Sequence, residues 1–384
     1  MARTEPGLER ELVALAHDFA EREIRPVAPH HDETEEFPAE VIRKAAKIGL
    51  TCYDLPERFG GGGIESTRTA CLISEELAWG DAPIGSQVGS ASFFAGPLLA
   101  MGTPEQQERW ITPLCGEDPP MTALAITEPG AGSDAAAIRT TAERVDGGYR
   151  LNGAKTWVSG APSARFYLVY ASTAPGSRSK GITSFLVEAD DAGFTRGRKL
   201  PKMGSRCYPT GELSFADCFV PEDRRVGEEG QGFYGVMRWF DHSRVTLAAN
   251  SIGIGRAALE YAVEYAKERQ AFGKKIHEFQ AVSFRLVDAK MALDQARLLM
   301  LHAADLSDEG EPFSTEASMA KLAASEAAWQ ACNAAVMTLG SYGYSREYPV
   351  EKWLRDAKLE EIYEGTNDIQ RLIIARSLFP RATM

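Results

Sequence analysis

The sequence predicts an α+β chain in three parts. An N-terminal helical domain is expected over 1–120, a middle antiparallel β domain over 121–230 and a C-terminal four-helix bundle over 231–384. Three observations lead there. Apolar residues recur at helical spacing in the first third of the chain. Five short runs rich in β-branched and aromatic residues follow, separated by turn clusters such as "DGG" and "PGSRSKG". The helical period then returns and stays to the end.

Taken in order, Leu8, Leu12, Leu15 and Phe19 fall on one face of a first helix. "EVIRKAAKIG" reads as another, with Gly49 in the C-terminal capping position. "TPEQQERWITPL" carries a start signal. Thr103 caps, Pro104 suits the first turn and Gln106 completes a capping box. The β domain comprises "MTALAIT", "YRLNGAKTWVS", "RFYLVYAS", "GITSFLVEA" and "GELSFADCFV". Four helical patterns close the chain: "FYGVMRWF…AKERQAFG", "EFQAVSF…LHAADL", "STEASMA…VMTLG" and "TNDIQRLIIARSLF". Long amphipathic helices with short links are what a bundle requires.

Composition excludes several functions. With 384 residues and 44% hydrophobic content the chain can bury a large core. A net charge of −12 argues against nucleic acid, which needs a basic face. Six cysteines, at 52, 71, 115, 207, 218 and 332, form no CxxC pair, and reduced thiols in a cytoplasmic protein are expected. The first residues lack the apolar core of a signal peptide, and no run of about 18 apolar residues suggests a membrane span. The histidines, at 17, 30, 31, 242, 277 and 302, never stand at HxxxH spacing, so no metal site is expected. His30-His31-Asp32 reads as a charged surface turn. No GxSxG elbow occurs. "FGGGGIES" lacks both the dinucleotide fingerprint and a P-loop lysine, and reads as a flexible link between helices.

Two stretches suggest a binding surface. "AITEPGAGSD" (125–134) runs from a strand into a turn with exposed amides and the Ser133 hydroxyl, suited to a polar or anionic group, though equally a tight turn. In "KTWVSG", Trp157 and Ser159 alternate with Val158 and face one side of a strand. A tryptophan beside a hydroxyl suits a flat ring with a polar edge; a core tryptophan is the plainer reading. A third stretch, "EEIYEGTNDIQRL", sets a carboxylate, Glu364, between Tyr363 and Gly365 just ahead of a helix.

These three stretches, "ERQAFGKKIHEFQ" and "GSYGYSREYPVEKWLRDAK" occur together and in order. With the helix–β–helix arrangement, they make the chain resemble the acyl-CoA dehydrogenase family over essentially its full length, in its short-, medium- or branched-chain forms. The resemblance implies an FAD-dependent enzyme that oxidises an acyl thioester to its 2-enoyl product. It places Ile126 and Thr127 at the polar edge of the flavin ring, and Ser133 toward the pyrophosphate and the substrate. Trp157 would cover the ring and Ser159 would reach N5. Arg269 would meet the pyrophosphate of a neighbouring subunit's FAD, with Phe272, Phe279 and Gln280 near its adenosine half. Thr366 and Asp368 would hold the adenosine side from the other direction. Sharing a cofactor in this way implies a homotetramer, a dimer of dimers.

Glu364 matches the family's catalytic base, which takes the α-proton while flavin N5 takes the β-hydride. A thioester α-C–H is a weak acid, so the base must be held close and the developing enolate stabilised. The family uses a ribityl hydroxyl and the backbone N–H of the base residue. An apolar pocket is expected to raise the Glu364 pKa. Some relatives carry the base where this chain has Ser243, which cannot serve. Asp241, Arg244, Tyr363 and Gly365 match positions around the substrate and the base loop.

Two departures stand out. In "MTLGS", Met337 replaces a glutamine that contacts the partner's FAD, and Ser341 replaces a glycine after Gly340. "DEGEPFS" is acidic where some relatives place an arginine against the adenine of coenzyme A, near Pro312. An acyl group on a carrier protein is therefore the alternative substrate to acyl-CoA. An electron-transfer flavoprotein is the implied electron acceptor. A flavin monooxygenase on this fold is a further rival, but such relatives usually lack the base. A non-catalytic helical protein would not need Trp157, Arg269, Thr366 and Glu364 together.

Overall fold

The computed structural model describes residues 3–379, so the predicted domain limits at 1 and 384 lie outside the described residues. Six helices lead: α1 (Pro6–Phe19), α2 (Ala28–Thr34), α3 (Ala39–Lys47), α4 (Thr67–Val88), α5 (Ala91–Met101) and α6 (Pro104–Ile111). The capping box of α6 forms as its sequence requires, with Gln106 N donating to Thr103 Oγ1 and Thr103 N to Gln106 Oε1. Gly49, after α3, takes a φ of 78°.

Helix α1 forms as its spacing predicts, burying Phe19 with Ala16 and packing Leu12 beside them, while Leu8 and Leu15 on that face are exposed. Two expectations in this region are corrected. The run at 30–32 is helical, not a surface turn. Asp32 is buried against the Arg355 guanidinium, Oδ2 to Nη2 at 2.5 Å. "FGGGGIES" is a packed turn rather than a flexible link. Gly62 N donates to Cys52 O, Gly63 N to Leu55 O and Ile64 N to Tyr53 O. A Cβ on Gly61 would lie 2.2 Å from Leu55 O, which is why glycine stands there.

Eight strands form the middle sheet: β1 (Thr122–Ala125), β2 (Thr141–Val145), β3 (Gly148–Ser159), β4 (Phe166–Ser172), β5 (Ile182–Glu188), β6 (Phe194–Lys199), β7 (Thr210–Pro221) and β8 (Arg225–Val226). Their order is β6-β7-β3-β2-β4-β5-β8, with β1 beside β4. The sheet is not wholly antiparallel, because β1 runs parallel to β4. The β2–β3 hairpin intervenes and supplies the crossover a parallel pair needs. One sheet face packs with α5 and α6 through Phe94, Trp110, Phe166 and Leu168, and the other closes on Tyr149, Tyr167, Phe185 and Phe215.

The last part contains α7 (Gly232–Glu268), α8 (Gln280–Glu309), α9 (Ser314–Leu339), α10 (Val350–Glu360) and α11 (Asn367–Leu378). Four match the predicted patterns; α10 is an addition, built from "VEKWLRDAKLE". Alanines along α9 let it pack closely on α7 and α8, and α4 joins α7 in the same core. The first pattern also ends early. Helix α7 stops at Glu268, and a hairpin of β9 (Gln270–Ala271) and β10 (Lys274–Lys275) follows. Its tip, Phe272-Gly273, has φ of 50° and 80°, the twist that a two-residue hairpin turn requires.

Candidate functional site

Glu364 lies in the turn between α10 and α11 with φ 53°, followed by Gly365 at 94°. A left-handed residue other than glycine costs about 1–2 kcal/mol, so such a turn needs outside support. Two helices supply it. Gln370 of α11 donates Nε2 to Gly365 O at 2.8 Å and to Glu364 O at 3.3 Å. Arg244 of α7 donates Nε to Glu364 O at 3.3 Å and pairs with Asp241 at 2.8 Å. Thr366 caps α11, accepting from Ile369 N at 3.4 Å. The carboxylate itself accepts from Ser243 Oγ at 2.6 Å.

Glu364 is half-buried, and burial pushes its pKa up to about 7. The Ser243 hydrogen bond, Arg244 and Lys321 pull the other way and only partly offset it. The direction is the expected one, and its cause is burial, although the groups that touch Glu364 are the polar Ser243, Arg244 and Gln370. Tyr363, just before it, donates to Glu360 Oε1 at 2.8 Å. Asp368 is exposed and pairs with Arg371.

A second group lies on the middle sheet. The turn after β1 is held by a buried ion pair, Lys155 Nζ to Glu128 Oε1 at 2.7 Å. Lys155 also donates to Ile126 O at 3.0 Å, and Glu128 accepts from the backbone N–H groups of Arg139 and Thr140. Burial lowers the Lys155 pKa to about 8, and Glu128 acts against it. Around this pair Ile126 is buried, Thr127 half-buried and Ser133 exposed. A bulge shifts the register of β3 between Lys155 and Val158, where Trp157 takes a φ of 57°. Trp157 is 60% exposed and Ser159 is exposed too, so both present themselves outward as the alternation predicts.

The third group is at the far end of α7. Phe272, at the hairpin tip, is 96% exposed and meets the Phe279 ring edge-on at 6.0 Å between centroids. The exposed Arg269 guanidinium stands 5.6 Å over Tyr342, beside Gly340 and Ser341 at the end of α9. Met337 is exposed and Gln280 begins α8. Among the described residues no hydrogen bond, ion pair or ring contact joins this group to the other two.

Among the described non-glycine residues with positive φ are Trp157, Phe272 and Glu364, one in each group. Backbone held in sparsely populated regions concentrates at functional sites. An outward indole, hydroxyls at its edge and a separate arginine with exposed aromatic rings fit a large cofactor with a flat ring and an anionic linker. Sequence reasoning missed Glu128–Lys155, Gln370, Glu360 and Lys321. A lone lysine in "SMAKLAAS" and twin acids in "LEEIYEG" were the available signals. Among the described residues no group of three His, Cys, Asp or Glu gathers as a metal cage.

The chain matches the family models "Acyl-CoA dehydrogenase, N-terminal domain" over 8–118, "middle domain" over 123–218 and "C-terminal domain" over 230–379. It is 41% identical to the mitochondrial short-chain specific acyl-CoA dehydrogenase of Homo sapiens, covering 97% of this chain and 90% of that protein. It is 42% identical to an acyl-CoA dehydrogenase of Bacillus subtilis (strain 168), over 95% and 96%. Butyryl-CoA dehydrogenase from Megasphaera elsdenii superposes with a TM-score of 0.93 at 39% identity, over 98% of this chain and 100% of that one. A chain from a structure of the electron transferring flavoprotein of Acidaminococcus fermentans gives 0.94 at 36%, over 99% and 100%. The prolyl acyl carrier protein oxidase AnaB gives 0.93 at 30%, over 98% and 100%.

Proposed function

The chain belongs to the acyl-CoA dehydrogenase family, and from that premise we propose that it oxidises a short acyl-CoA to the 2-enoyl-CoA with Glu364 as the base. One observation carries the assignment of the base. A half-buried carboxylate on a strained turn is held by Ser243, Arg244 and Gln370, with its pKa raised to about 7.

FAD, when bound, supplies the acceptor for the hydride leaving the β-carbon. Thr127, Trp157 and Ser159 would hold its ring, and Ser133, Thr366 and Asp368 its polar length. Arg269, Phe272, Phe279, Gln280, Met337, Gly340 and Ser341 would be lent to a neighbouring subunit's cofactor. Glu364 takes the α-proton in its carboxylate form, and its backbone N–H would serve the thioester oxygen as charge develops there. Burial makes the carboxylate more basic, while Ser243 keeps it aimed. Asp241 fixes Arg244, which in turn holds the Glu364 carbonyl. Tyr363 and Gly365 would line the acyl end.

Exposed Phe284, Val287, Met291 and Leu298 on α8 support a homotetramer. The likeness to a chain from a structure of an electron transferring flavoprotein supports such a flavoprotein as electron acceptor. Six free cysteines support a cytoplasmic location, and no helix among the described residues is long and apolar enough to cross a membrane. The carrier-protein reading has support from two sources, the likeness to AnaB and the acidic link between α8 and α9.

Reconstitution with FAD followed by a panel of acyl thioesters tests the function. Butyryl-CoA is expected to bleach the flavin spectrum. Failure to bind FAD would overturn the reading. Bleaching by butyryl-carrier protein but not by butyryl-CoA would replace the substrate.

A further inference from the structure

The turn that carries Glu364 is clamped at both ends by ionisable side chains taken out of water. On its near side, Glu360 at the end of α10 is 3% exposed. It accepts from Tyr363 OH at 2.8 Å and from Ser251 Oγ of α7 at 2.9 Å. On its far side, Lys321 of α9 is 0% exposed and donates Nζ to Asn367 Oδ1 at 3.0 Å. Asn367 opens α11, accepts also from Ser325 Oγ and donates its N–H back to Glu361 O at 3.0 Å. Tyr363 and Asn367 flank Glu364 in sequence, so each buried charge grips one end of the strained segment.

Filling the space does not by itself call for a charge at either position. An apolar side chain of similar size would fill either position without the cost of burying a charge. Resting on the assignment of Glu364 as base, we propose that Lys321 and Glu360 are positioning residues: a buried pair of opposite charge that holds the turn and sets the charge against which Glu364 takes up its proton. Burial brings all three groups toward neutrality, Lys321 down to about 8 against the pull of Glu360 and Glu364, and the two glutamates up to about 7 against the pull of Lys321. The other polar and charged groups at this turn are Ser243 and Arg244 with Asp241 on α7, Tyr363 and Glu361 (paired with Lys358), and Gln370 on α11.

The two members therefore act on Glu364 with opposite signs. Losing the Lys321 cation removes stabilisation of the carboxylate, and losing the Glu360 anion removes repulsion. The test measures deuterium exchange at the α-carbon of butyryl-CoA in D2O against pH, using the FAD-loaded protein. Lys321→Met should move the acidic limb up by about one unit, and Glu360→Gln down by about half a unit. Unmoved limbs, or shifts of the same sign, would overturn the proposal, since purely structural damage lowers the rate at every pH. Glu360→Gln is nearly isosteric and carries the test alone if Lys321→Met does not fold; an unmoved limb would then be decisive. Glu364→Gln serves as control. Normal exchange in that variant would remove the base assignment itself, whereas no exchange there with unmoved limbs would remove only the pair.

Discussion

At Glu364 two opposed demands meet in one side chain. A base for a weakly acidic C–H gains from desolvation, but a desolvated carboxylate destabilises the fold when charged. Ser243 reconciles them, because its hydroxyl stabilises the carboxylate at 2.6 Å without adding charge. Removing it should raise the Glu364 pKa, since a donor to the charged form is lost. Ser243→Ala is expected to shift the acidic limb of the kcat/KM profile upward by about one unit, a hydrogen bond to a charged group contributing about 1.5–3 kcal/mol. An unshifted limb would show that Ser243 does not address the carboxylate. The sequence made Glu364 conspicuous and set Ser243 aside as unable to be the base. Their hydrogen bond spans 121 positions, so no local pattern reports it.

Among the elements, β3 shows how a sheet is made to display a site. Trp157 stands outward at the bulge between Lys155 and Val158, and the buried Glu128–Lys155 pair fastens the neighbouring turn. Removing one partner leaves a buried charge unpaired. Lys155→Met should cost about 3–5 kcal/mol in denaturant unfolding, and the double variant Lys155→Met/Glu128→Gln should recover most of it. No recovery would mean that Lys155 acts through packing alone. Elements governed by near neighbours were legible: the α6 capping box and the Gly49 cap are written within a few residues. Those governed by distant partners were not. Asp32 is buried because Arg355 reaches it from α10, and β1 runs parallel to β4 because of a pairing 44 residues away. The early end of α7 was missed because Gln270 to Lys275 keep an acceptable helical pattern while Phe272-Gly273 turns a hairpin.

Across the whole molecule, the residues proposed for the cofactor fall into three groups, on the sheet, at the base turn and at the exposed end of α7 around Arg269, Phe272 and Met337. No hydrogen bond, ion pair or ring contact among the described residues joins them, and the proposal is that a second copy does. Arg269 is exposed, so Arg269→Ala should leave the protomer folded while weakening FAD binding by about ten- to a hundredfold, as for a lost charge-assisted contact to an anion. Flavin retention in gel filtration reads this directly, and full retention would place Arg269 outside the cofactor site. The three-part order of helices, sheet and helices was legible because each part has its own period. Which apolar side chains stay exposed on the chain was not, since an apolar residue looks the same in sequence whether it is covered or not.

The central claim is that Glu364 removes the α-proton. Its most direct test is solvent deuterium exchange at the α-carbon of butyryl-CoA, comparing wild type with Glu364→Gln, both loaded with FAD. The wild type should exchange, with the rate rising as pH passes through about 7 and the carboxylate forms. Glu364→Gln should bind flavin and thioester yet leave the α-hydrogens in place at every pH. Exchange at the wild-type rate in that variant would contradict the account.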